Sequence, residues 1–327
     1  MRSSVLACAL LSAAPAFAAA GPAPTVEKGT VHFTPADAQS GVPERYRLEA
    51  RTFDYEMKWM YDMPSVGVHV YSVRFPSAVE SPVPENNTVY AEYYRPDAKG
   101  PFPCVILLDV TGGDQTISRV IGTHLARHGI GGLFMQMAYY GPRRPAGSGL
   151  RLLSTDVART TAAVRQTVLD VRLTTAWMES RPEIDAKRLG ILGTSLGSFM
   201  AALAAEMEPK LGRVALLLGG GGLVDGYYDD PRAATYRKMF EALGGKKATL
   251  AKLIAPYDPI TCAANLKGRK LLMLEARHDE IVPPKMAERL WRASGEQKIV
   301  WYNSGHYTAA IYVADALEQV VRHFGAE

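Results

Sequence analysis

The period of the hydrophobic positions changes along the chain. "GVHVYSVRF" (67–75) and "NTVYAEYYR" (87–95) alternate apolar and polar residues, the pattern of strands with one covered and one wetter face. The Pro-rich stretch between them, Ser77 to Glu85, reads as a loop. From Pro103 the alternation stops, and "PCVILLDV" (103–110) is a continuous apolar run, as expected of a strand buried on both faces. Further strands are predicted at Ile130–Gln136, Arg188–Leu192, Val214–Leu218, "KLLMLEA" (270–276) and "KIVWYN" (298–303). Helical spacing covers Ile117–His128, Leu150–Ser180, Ser195–Glu206 and a closing helix at Tyr307–Phe324. Strands alternating with helices predict an α/β fold with a mostly parallel central sheet and helices on both faces. Residues 223–268, polar and helical, are expected to form a small cap inserted into it. Residues 21–66 begin Pro- and charge-rich without clear period, so they read as an N-terminal arm packed on a main domain at 67–327.

The first residues carry a different signal. Arg2, an apolar core from Val5 to Leu11 and the small-residue site Ala16-Phe17-Ala18 predict a signal peptide over about residues 1–18 or 1–20. The mature chain is then exported, to a periplasm or to the exterior. Val5-Leu6-Ala7-Cys8 resembles a lipoprotein box, but little apolar sequence precedes Cys8. The apolar core is too short to span a bilayer, and no later run reaches that length, so no membrane span is expected.

Charge removes other classes. The formal net charge is +4, with basic residues scattered rather than clustered, so nothing points to nucleic acid or an anionic surface. Cys104 lies inside an apolar strand and reads as a small buried hydrophobe rather than a disulfide partner of Cys262. Asn86-Asn87-Thr88 has the glycosylation pattern. His124 and His128 are spaced i, i+4, but Leu125 stands where a zinc-protease helix carries glutamate. The glycines at 219–222 lack the lysine and spacing of a phosphate loop. No metal and no organic cofactor is implied.

The chemistry concentrates in "GILGTSLGSF" (190–199), where Gly193 and Gly197 flank Ser195 at a strand-to-helix boundary. Glycines two residues either side permit a sharp turn that holds a serine hydroxyl beside the first amides of a helix. A Gly-Ser turn with a capping serine would look the same in isolation. A serine nucleophile needs a base, and the base an orienting carboxylate. "EARHDEIVPP" (275–284) places Asp279 just after a buried strand, and "NSGHYTAA" (303–310) places His306 after the last one. Each alone would read as a loop or capping residue. All three, each at a strand's end and in the order Ser195, Asp279, His306, predict a Ser-His-Asp triad.

On G-T-S-L-G (193–197), A-R-H-D-E-I-V-P-P (276–284), S-G-H (304–306) and "RPEIDAKRLGILG" leading into the serine, the chain resembles the α/β-hydrolase family over roughly residues 67–325. The resemblance is to its dienelactone-hydrolase and acetyl-esterase-like branch. It implies an oxyanion hole made by the amide of Leu196 and by Val110, or Thr111, in "LLDVTGGDQ" (107–115), where many members carry His-Gly. Asp109 would hold that loop. Tyr140, in "MAYYGPRRP" (137–145), either bonds the substrate or the oxyanion or packs under the Pro-containing turn, and Arg143 or Arg144 either meets an acidic group or is solvated, the second being favoured. The cap residues Tyr227, Tyr228, Tyr236, Met239 and Phe240 either line the pocket or form the cap's own small core. The implied activity is that of an exported serine esterase on a small-molecule or carbohydrate ester, of small-acyl, acetyl type. A serine peptidase on the same fold and a non-catalytic binding protein are the alternatives. No propeller-sized segment precedes the catalytic region, which weighs against oligopeptide cleavage.

Overall fold

The computed structural model describes residues 26–35, 39–112 and 115–326. The expected signal peptide lies outside the described residues. Among the described residues ten strands form one sheet: β1 (Val26–Phe33), β2 (Arg51–Met63), β3 (Val68–Pro76), β4 (Thr88–Pro96), β5 (Phe102–Leu108), β6 (Gly131–Met135), β7 (Ile184–Thr194), β8 (Arg213–Leu217), β9 (Lys270–Ala276) and β10 (Lys298–Tyr302). Their spatial order is β1-β2-β3-β4-β6-β5-β7-β8-β9-β10. β1 to β4 form an antiparallel meander that joins β6 antiparallel, and the six strands from β6 to β10 run parallel.

Eight helices accompany the sheet among the described residues: α1 (Thr116–Arg127), α2 (Val157–Glu179), α3 (Leu196–Met207), α4 (Leu223–Tyr227), α5 (Ala234–Ala242), α6 (Lys247–Ile254), α7 (Pro284–Ala293) and α8 (Val313–Gly325). β5 shows why its sequence lacks alternation. Cys104, Ile106 and Leu108 enter the core shared with α2 and α3, while Val105 and Leu107 enter the core shared with α1 and α8. Both faces are covered, so every residue of β5 is apolar and buried. None of the described helices is long and apolar enough to cross a membrane.

The structure corrects several expectations. Residues read as an aperiodic arm contain β1 and β2, which extend the sheet beyond β3. β1 buries only Val31 and Phe33, and β2 only Phe53 and Met57, so strands with so few covered positions give a faint apolar period. α7 was not anticipated, although it buries Met286, Ala287 and Leu290 in a helical stripe. α2 starts at Val157 rather than Leu150, because Asp156 caps it by accepting from the Arg159 amide at 3.0 Å. Asn86 is fully buried and donates to Gln166 Oε1 at 2.6 Å, so the glycosylation pattern is out of reach. Arg143, expected in solvent, is 0% exposed and ion-paired to Asp170 at 2.7 Å, with further bonds to the carbonyls of Gln136 and Asn86. It ties the turn after β6 to α2, a structural duty.

Glu206, near the end of α3, is a buried carboxyl whose two oxygens have no hydrogen-bond partner among the described residues. Burial, with Asp258 adding to it, pushes its proton affinity well above the usual carboxylate range. The folded chain therefore keeps a proton that the unfolded chain releases at the ordinary carboxylate value. Stability then falls as pH rises from that value toward the folded-state one, by up to about 1.4 kcal/mol per pH unit. Glu206→Gln keeps the shape and removes the titration. Its stability advantage over the wild type in urea denaturation is expected to be larger at about pH 8 than at about pH 5. An advantage independent of pH would refute this account.

Candidate active site

β7 delivers the chain to Ser195, and α3 begins at the next residue. Ser195 sits at φ 53°, ψ −116°, a strained conformation for a residue with a side chain, and its amide is held by the Leu217 carbonyl of β8 at 2.8 Å. The turn is tight enough that a Cβ on Gly193 would lie 2.0 Å from the Gly197 carbonyl oxygen. A Cβ on Gly197 would lie 2.1 Å from the Leu108 oxygen at the end of β5. Both glycines are thus required by backbone meeting backbone.

Asp279 follows β9, and its Oδ1 accepts from the amides of Ile281 and Val282 at 2.8 and 2.6 Å. That fixes the carboxyl so that Oδ2 lies 2.7 Å from His306 Nδ1. On the other side of the ring, His306 Nε2 lies 3.0 Å from Ser195 Oγ. With Nδ1 donating to the carboxylate, Nε2 is the acceptor facing the hydroxyl. The three residues come together from three loops and are each 7–8% exposed. Glu280, absent from the sequence-derived set, supports the histidine loop by accepting from the His306 amide at 2.9 Å. That bond holds the Glu280 carboxyl below its usual range.

The loop after β5 departs from expectation. Of the two amides expected to face the reacting oxygen, Val110 or Thr111, that of Val110 donates to Asp109 Oδ1 at 2.6 Å. Asp109 Oδ2 also accepts from Ser118 at 3.2 Å, tying the loop to α1. A carboxylate directly beside an amide outcompetes a transient ligand for it. Among the described residues of this loop, Thr111 lines the cavity with Ser195 and Leu196. Tyr140 is buried away from that cavity, and its hydroxyl meets Thr111 Oγ1 at 3.0 Å. It positions Thr111 rather than lining the space a substrate would fill.

Over Ser195 lies a cavity of about 620 Å³. The cap supplies one wall through Leu223, Val224, Tyr227, Tyr228, Tyr236 and Phe240. The cap's aromatic residues therefore line the cavity instead of forming a core of their own, and no residue of α5 or α6 is buried. Met239 points outward and is exposed. Asp258 fastens the cap at its base, accepting from the amides of Gly222 and Leu223 at 2.8 and 2.6 Å. Burial pushes the Tyr227 hydroxyl up to about 12, so it stays protonated as a donor. The opposite wall, which sequence reasoning missed, is the start of α2 with Val157, Thr161 and Val164. Its apolar positions have the spacing of any core helix, and nothing in the sequence marks them as a pocket wall.

A family model described as alpha/beta hydrolase domain containing 18 matches residues 40–218, more than half of the chain. The prolyl oligopeptidase family model matches residues 160–308. The chain is 30% identical over 159 residues to the uncharacterized protein Rv2627c of Mycobacterium tuberculosis, a match covering 46% of this chain and 35% of that protein. It thus spans about a third of that relative's length. Among solved structures, acetyl xylan esterase 1 from Thermoanaerobacterium sp. JW/SL YS485 superposes with a TM-score of 0.61 at 19% identity, covering 81% of this chain and 87% of that one. An acetyl xylan esterase from Paenibacillus sp. R4 gives a TM-score of 0.60 at 17% identity, covering 81% and 88%. At such identities the likeness is one of fold.

Proposed function

The chain belongs to the alpha/beta hydrolase domain containing 18 family, and on that footing we propose that it is an exported serine esterase that cleaves carboxylic esters through an acyl-enzyme. The observation that carries this reading is the continuous contact from Asp279 through His306 to Ser195 Oγ, at 2.7 and 3.0 Å.

In the proposed reaction Ser195 Oγ attacks the ester carbonyl carbon while its proton passes to His306 Nε2. The carbonyl oxygen becomes an anion held by the Leu196 amide, at the positive end of α3, and by Thr111. Collapse of this intermediate breaks the bond to the alcohol oxygen, which takes the proton from His306 and leaves. Water repeats the sequence on the acyl-serine, giving its proton to His306, and the acid departs as Oγ regains it. Asp279 keeps the ring oriented and offsets its positive charge in both halves. The export part of the reading rests on the sequence of residues 1–20.

The prolyl oligopeptidase match favours a second reading, a serine peptidase. Among the described residues lining the cavity there is no Asp or Glu that would bind a peptide's terminal ammonium, which favours the ester. The test is a fluorophosphonate probe with p-nitrophenyl butyrate and prolyl or aminoacyl amides as paired substrates. Labelling at Ser195 in a one-to-one ratio, with ester turnover and little amide turnover, is expected. Labelling with amide cleavage as the faster reaction would favour the peptidase, and an unlabelled folded protein would refute both enzymes.

A further inference from the structure

We infer that the ester cleaved carries a long apolar chain, of about eight carbons or more, which lies in the cavity between the cap and α2. The inference rests on the serine-esterase reading above and extends it to the substrate class.

Ser195 and Leu196 both line the cavity, so a group joined to Ser195 Oγ, or leaving from it, has this space open to it. At about 620 Å³ the cavity lies in the range that encloses drug-sized ligands, whereas an acetyl group brings only three heavy atoms. The lining decides what kind of molecule would fill the rest. Phe199, Met200, Val224, Phe240, Leu250 and Ile254 are among its many apolar residues. Its one charged member among the described residues, Arg237, already spends Nη1 on the Tyr228 carbonyl, at 2.5 Å, and packs its guanidinium over the Tyr228 ring. A sugar ring would lose its hydration to such walls with few partners in return, while each methylene of an alkyl chain would gain.

The cavity does not stop at its mouth. Leu153 just before α2, Val157 at its first turn and Tyr236 on α5 line it and are also 45–66% exposed, so its apolar surface continues to solvent. A compact acetyl ester has no use for that extension, whereas an extended chain does.

The test compares p-nitrophenyl esters from acetate to decanoate with acetate esters of alcohols from ethanol to decanol, at monomeric concentrations. The first series places the chain on the acyl side and the second on the alcohol side. In one of them kcat/KM is expected to rise by about two- to fourfold per methylene up to eight carbons or beyond. Ile254→Trp on α6 and Thr161→Trp on α2 would fill the cavity from walls that carry none of Ser195, Asp279 and His306. Each is expected to lower the ratio of kcat/KM for the eight-carbon over the four-carbon ester, in the series that shows the rise, by about tenfold. Ser195-dependent turnover that falls beyond four carbons in both series overturns this inference and leaves the esterase reading standing. A ratio unchanged in both folded variants overturns it as well. No turnover at any length, with Ser195 unlabelled by fluorophosphonate, overturns the two together.

Discussion

Ser195→Ala is expected to lower kcat for ester hydrolysis by about 10⁴- to 10⁶-fold, with little change in thermal stability. The hydroxyl's hydrogen bond in the free protein is the one to His306 Nε2, so removing it leaves no buried donor orphaned elsewhere. The strained backbone at Ser195 is held by neighbouring main chain and is no worse for alanine. Activity is a different matter, since the hydroxyl is the only atom in the scheme that forms the covalent bond. His306→Ala should cost nearly as much, and the double variant little more than either, because nucleophile and base act as one unit. The measurement is kcat and KM for p-nitrophenyl butyrate, with active sites counted by fluorophosphonate. A Ser195→Ala protein that keeps a tenth of the activity, or losses that multiply in the double variant, would defeat the mechanism.

Much of this site could be read from the chain because its signals are local. A strand that ends in G-T-S-L-G, another that ends three residues before Asp279, and a last one that ends four residues before His306 each announce themselves within ten residues. Parallel strands bring their carboxyl ends to one edge of the sheet, so order along the sequence becomes proximity in space. What escaped depends on contacts made at a distance or on choices within one residue. The amides of Val110 and Thr111 differ by a single step along the chain, and only the folded loop shows that the Val110 amide donates to the Asp109 carboxylate. Arg143 looks like any surface arginine until Asp170, on a helix far along the chain, closes on it. The cap aromatics could pack on each other or on the space above Ser195, and their spacing is the same in both cases. β1 and β2 sit where one face is barely covered, so the alternation that reveals β3 and β4 is weak there.

The glycines carry the second large effect. Gly193→Ala and Gly197→Ala are each expected to cost about 4 kcal/mol or more of folding stability, at the upper end for single substitutions. A side chain can swing aside when a new methyl arrives, but both methyls here meet main-chain oxygen at close to 2 Å, where nothing can rotate away. Relief requires α3 to move from β7 in one case and from the end of β5 in the other. Neither movement is local. α3 carries the Leu196 amide, and the end of β5 carries the loop with Asp109 and Thr111, so whatever folds should also have lost its alignment to His306. The Gly197 variant is the sharper case, because its methyl would press on both Leu108 and Asp109, at 2.1 and 2.6 Å. Gly212→Ala makes the control, since a Cβ there meets nothing within 4 Å. Urea denaturation, followed by the rate of fluorophosphonate labelling of the folded fraction, reads both effects. Stability within about 1 kcal/mol of the wild type for either Gly193→Ala or Gly197→Ala would mean that the strand-to-helix turn is looser than these distances require.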